Sequence, residues 1–99
     1  MIVEFLEEAN RDMVDAALWY ESKQPGLGHR FKMEVESVLR SIVANPFLQR
    51  ERDGGYRRVN FPVFPYYLPY FIRHDKIIVL AIAHEHRRSV YWNQQDLGE

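Results

Sequence analysis

The stretch "GYRRVNFPVFPYYLPYFIRHDKIIVLAIAHEHRRSVYW", residues 55–92, decides the fold, because here the apolar residues run in short blocks broken by turn residues. "YRRVNF" (56–61), "PYYLPYFIR" (65–73) and "KIIVLAIAH" (76–84) each read as a strand, with "HDK" as the tight turn between the last two. Pro69 sits in the middle of the second strand, where a missing donor implies an edge, a bulge or a neighbour that leaves that side free. A core accounts for the aromatics of this stretch. It does not account for Arg57, Arg58, Arg87 and Arg88.

Upstream the period changes. "IVEFL" (2–6) alternates like a strand, and Ala9, Met13, Ala16, Ala17 and Tyr20 then fall at helical spacing over residues 8–23, with Glu7, Glu8 and Asp12 near the positive end of the helix dipole. "QPGLGHRF" stops that helix, since Pro25 continues it poorly and Gly26 and Gly28 supply turn geometry. Leu27, Phe31, Val35, Val38, Leu39 and Ile42 form a second apolar stripe over residues 27–44, ending at "ANP". The expected order is β-α-α-β-β-β: an α+β fold with a helical hairpin packed on a small antiparallel sheet.

At 99 residues the chain is expected to form one domain, residues 1–99. It has no cysteine, which excludes disulfides and thiolate metal sites. The acidic "MIVEFLEEANRD" start lacks the basic, apolar pattern of a signal peptide, and no stretch has membrane-spanning length, so a cytoplasmic location is expected with no membrane partner. Charge is unevenly spread: residues 1–26 hold six acids and two bases, and residues 27–60 hold four acids and seven bases. The basic middle suits an anionic partner locally, but a pI near 6.4 argues against indiscriminate nucleic-acid binding.

With this element order, "GYRRV" (55–59), "FPYYL" (64–68) and "IIVLAIAHEHRR" (77–88) resemble the RelE/ParE superfamily of toxins from bacterial type II toxin–antitoxin systems. The opening strand followed by "EEANRDMVDAALWY" (7–20) is similar to that family's beginning, so the resemblance covers nearly the whole chain. It implies a small toxin with the RelE/ParE toxin fold, neutralised by a cognate antitoxin in a hetero-oligomer. Two branches differ in mechanism: RelE-like members cut mRNA on the ribosome, whereas ParE-like members act on DNA gyrase without being nucleases. A third alternative is an inactive homologue that serves only as an antitoxin-binding module.

If the chain is a nuclease, it is a metal-independent endoribonuclease with Arg58, Arg73, His84, Arg87 and Tyr91 as its catalytic candidates. Such cleavage needs a deprotonated 2′-hydroxyl, a stabilised phosphate and a protonated leaving oxygen, and hence arginines and an acid or base on one face. The competing reading has His84 capping a strand and Tyr91 packing the sheet edge. As a binding surface, the candidates for target or antitoxin are Arg57, Arg58, Arg87, Arg88, Tyr91 and Trp92, since guanidinium groups hold planar oxyanions bidentately. Alternation lets only one arginine of the Arg57–Arg58 pair face a given site. The outward half of Phe61, Phe64, Tyr66, Tyr67, Tyr70 and Phe71 would stack bases or seat a partner helix. His84 and His86 have a two-ligand spacing but no third ligand, so no metal and no cofactor is expected. RelE-like ribonucleases tend to carry basic residues before the "GYRRV" position; here Arg50 and Arg52 are the nearest, and the chain's lysines are Lys23, Lys32 and Lys76. The balance therefore favours the ParE-like, non-nuclease branch.

Overall fold

A computed structural model describes residues 1–86. The elements are β1 (Ile2–Phe5), α1 (Glu7–Lys23), α2 (Leu27–Ala44), β2 (Arg57–Asn60), β3 (Tyr66–Arg73), β4 (Lys76–Val79) and β5 (Ala83–His84). Within the described residues the sheet order is β1-β4-β3-β2, and β5 also pairs with β3. The α+β class and the helical hairpin follow the sequence reading.

Two features of the sheet differ from it. First, the sheet is mixed: β1 lies parallel to β4, with Val3 beside Ile77, while the β2–β3 and β3–β4 pairs are antiparallel. A period-two pattern is the same for both pairings; the two intervening helices supply the crossover a parallel neighbour needs. Second, the strand expected over residues 76–84 breaks into β4 and β5. Tyr70 is opposite Val79 and Tyr67 is opposite Ala83, so Leu68 and Pro69 on β3 face the three residues Leu80, Ala81 and Ile82. This is a β-bulge.

The bulge explains Pro69. Phe61 N–H donates to Tyr66 O at 2.9 Å, which makes the pairs of β2 with Tyr66, Leu68 and Tyr70 the hydrogen-bonded ones. Pro69 therefore turns its backbone toward β4 and β5, where its carbonyl accepts from Leu80 N–H at 2.9 Å. Its missing donor falls beside the bulge, and β3 runs through it without interruption.

The sheet carries apolar side chains on both faces. Leu68, Tyr70, Ile77, Val79 and Ile82 meet Phe31, Val35, Val38 and Ile42 of α2 together with Ala9 and Ala17 of α1. Tyr67, Phe71, Leu80, Ala81 and Ala83 form a second cluster on the opposite face, with Leu6, Tyr56 and Ile78 against it. Two carboxylates fix the frame. Glu34 of α2 accepts from the backbone N–H groups of Val63 and Phe64, both at 2.9 Å, which holds the β2–β3 loop to the helix. Glu21 of α1 accepts from Gly26 and Gly28 N–H at 2.9 and 3.0 Å, which closes the helical hairpin.

Candidate functional site

The paired arginines separate as alternation requires. Arg57, opposite Tyr70, points to the helix side, where its guanidinium lies 5.2 Å from the Phe47 ring, donates to Gln49 O at 3.3 Å and pairs with Glu51 at 3.8 Å. Its side chain is only 17% exposed, so it fastens the loop after α2 to the sheet. Arg58, opposite Pro69, points to the helix-free face. There it lies 3.9 Å from the centre of the Tyr67 ring and donates to Asn60 Oδ1 at 3.1 Å.

Arg73 joins Arg58 on this face, 5.6 Å from the Phe71 ring. Burial pushes the Tyr67 hydroxyl above its ordinary pKa, and the positive charges of Arg58 and Arg52 pull in the opposite direction. Arg58 and Arg73 thus stand against an aromatic floor made by Tyr67 and Phe71. An arginine laid flat on a ring keeps its N–H edges available, which suits it to a carboxylate or phosphate.

His84 lies elsewhere. It is opposite Tyr66, whose ring packs in the helix-side cluster, and the two rings meet edge to face at 5.0 Å. Its Nδ1 accepts from His86 N–H at 3.1 Å, the backbone contact of a strand end. The bulge is the reason. In an unbroken strand His84 would share the face of Ile78, which lies against Phe71; one extra residue inverts the alternation and sends His84 toward α1.

Of the nuclease candidates, then, Arg58 and Arg73 share the helix-free face and His84 lies on the other. Arg87, Arg88, Tyr91 and Trp92 lie outside the described residues. Among the described residues no group of three or more His, Cys, Asp or Glu side chains is placed to hold a metal ion. Nor is any of their helices long and apolar enough to cross a membrane.

The family model described as the ParE toxin of the type II toxin–antitoxin system parDE matches residues 3–89. The chain belongs to the ParE toxin family. It is thereby the toxin type of a type II system. Solved structures agree on the fold. A chain of the chromosomal ParDE toxin–antitoxin system from P. aeruginosa matches with TM-score 0.62 and 20% identity, over 85% of this chain and 95% of that one. The isolated E. coli RelE toxin matches with TM-score 0.60 and 15% identity, over 91% and 89%. No curated protein matches this ParE-family chain by sequence.

Sequence reasoning missed a second concave surface in the ParE-family chain. His84 lines a groove with Asp12, Asp15, Trp19 and Tyr20 of α1 and with Tyr66. The signal lay in α1, where positions 12, 15, 16, 19 and 20 share one helical face. The strand end that completes the groove was beyond reach, because the bulge decides which way His84 points.

Proposed function

We propose that this ParE-family chain arrests growth by docking a macromolecular target such as DNA gyrase through the helix-free face of its sheet, and that a cognate antitoxin neutralises it in a hetero-oligomer. The observation that carries this reading is the separation of Arg58 and Arg73 from His84 on opposite faces. Ribonuclease chemistry without a metal needs a proton-transfer group beside the phosphate-binding arginines. Arg58 and Arg73 stand over Tyr67 and Phe71, an arrangement suited to recognising a surface with anionic groups.

Two assays on purified, antitoxin-free protein test the proposal: gyrase supercoiling of relaxed plasmid, and primer extension on mRNA in programmed ribosomes. Inhibited supercoiling with intact mRNA is expected, and Arg58→Ala should abolish inhibition while keeping the wild-type thermal midpoint. Ribosome-dependent cuts in the mRNA would overturn the docking reading in favour of a RelE-like endoribonuclease.

A further inference from the structure

Among the described residues, the groove between α1 and the end of β5 has a volume of about 560 Å³. Its walls are three aromatic rings, Trp19, Tyr20 and Tyr66, and among the described residues its charged lining consists of Asp12 and Asp15, with the His84 imidazole beside them. Asp12 Oδ2 accepts from Ile82 N–H at 3.1 Å, which pins the residue before β5 to the helix. Trp19 is 56% exposed although tryptophan is the largest of the aromatic side chains. One of its faces already attracts a cation, with Lys23 Nζ 5.0 Å from the ring centre.

We propose that this groove seats an arginine or lysine side chain of the antitoxin, its charge facing Asp15 and its stem lying on Trp19 and Tyr66. The choice of partner rests on the toxin reading above. The choice of side chain rests on complementarity: carboxylates with electron-rich ring faces attract a guanidinium or ammonium and repel an acidic side chain. A neutral apolar side chain would fill the volume but bring no countercharge to Asp15. The site lies on the side of the sheet opposite Arg58 and Arg73, so an antitoxin held here leaves the target-docking face to a separate contact.

The test uses the ¹⁵N-labelled full chain titrated with N-acetyl-arginine amide, with N-acetyl-norleucine amide as the neutral comparison. Expected are saturable shifts of the Trp19 indole N–H and of amides 15–20 and 82–84, with affinity on the order of millimolar for the arginine probe. Norleucine should bind about tenfold more weakly, and Asp15→Asn or Trp19→Leu should weaken arginine binding about tenfold while leaving the remaining spectrum in place. Equal shifts with both probes, or an Asp15→Asn variant that binds arginine as the wild type does, would overturn the groove. Asp15→Asn should also weaken the purified toxin–antitoxin complex about tenfold; undiminished affinity there removes the antitoxin as occupant. Growth arrest by the wild-type chain is scored in parallel. Arginine binding without arrest supports the groove and counts against the toxin reading, whereas arrest without arginine binding counts against the groove alone.

Discussion

Gly28 is the position at which one methyl group tests the helical hairpin most directly. It is the second residue of α2 and packs against α1; an added Cβ would lie 3.0 Å from both Cβ and Oε1 of Glu21 and closer still to the backbone oxygen of Ala17. The Glu21 carboxylate can swing away, but the Glu21 Cβ and the Ala17 carbonyl are held by the α1 backbone and cannot. Helix propensity by itself favours Gly28→Ala by up to about 1 kcal/mol, and less in the first turn. Against this stands overpacking, which costs about 1–3 kcal/mol where backbone must move. Separating the helices also loosens Ala17 and Phe31, both buried at the contact. The steric cost wins, and a net loss of about 2 kcal/mol is expected, a fall in Tm of roughly 10 °C for a domain of this size. Thermal unfolding followed by far-UV circular dichroism measures it. Adding Glu21→Ala to the variant should not restore the midpoint, since the Ala17 carbonyl remains in the way. A Gly28→Ala protein as stable as the wild type would refute the close approach of the two helices.

Three further outcomes follow from single groups. Glu34→Ala removes the acceptor shared by Val63 and Phe64 N–H and should lower stability by about 2 kcal/mol, read as a reduced urea midpoint at unchanged slope. The backbone donors Gly26 and Gly28 hold the Glu21 carboxyl below its ordinary pKa of 4.5. Its stabilising effect is therefore present above pH 4.5 and lost as pH falls through the lower folded value, so the stability gap between wild type and Glu21→Gln should close on acidification below 4.5. Tyr70 is fully buried and donates to Pro46 O at 2.9 Å, and burial pushes its hydroxyl above the ordinary 10.0. Tyr70→Phe should cost about 1 kcal/mol near neutrality. Because the folded pKa is raised, that advantage is present below pH 10.0 and declines as pH rises through the folded value; equal alkaline profiles for wild type and variant would contradict the burial.

Much of this fold was legible in the chain because its determinants are local. The α2 stripe of Phe31, Val35, Val38 and Ile42 repeats at helical spacing, and its predicted span of 27–44 coincides with the observed helix. The separation of Arg57 from Arg58 was equally legible, since adjacent strand residues must point to opposite faces. The six aromatics did not divide in halves: Phe61, Phe64, Tyr66 and Tyr70 lie on the helix side, and Tyr67 and Phe71, on the other, are themselves buried.

What the sequence could not decide depended on partners distant along the chain. Alternation is indifferent to strand direction, so the parallel seat of β1 beside β4 emerged only when the helical crossover was placed. Likewise, an apolar run such as "KIIVLAIAH" contains no mark of the extra residue at Leu80–Ile82. That residue is set by β3, where Pro69 offers β4 no donor and the register can slip by one. The consequence is a change of face: one residue of slip carries His84 from the arginine face to the groove beside α1. By itself the sequence determined which residues are helical, roughly where the extended segments lie and that Arg57 and Arg58 point to opposite faces. Only the tertiary structure determined which of those side chains meet, because a face is a property of the register between strands and not of any strand alone.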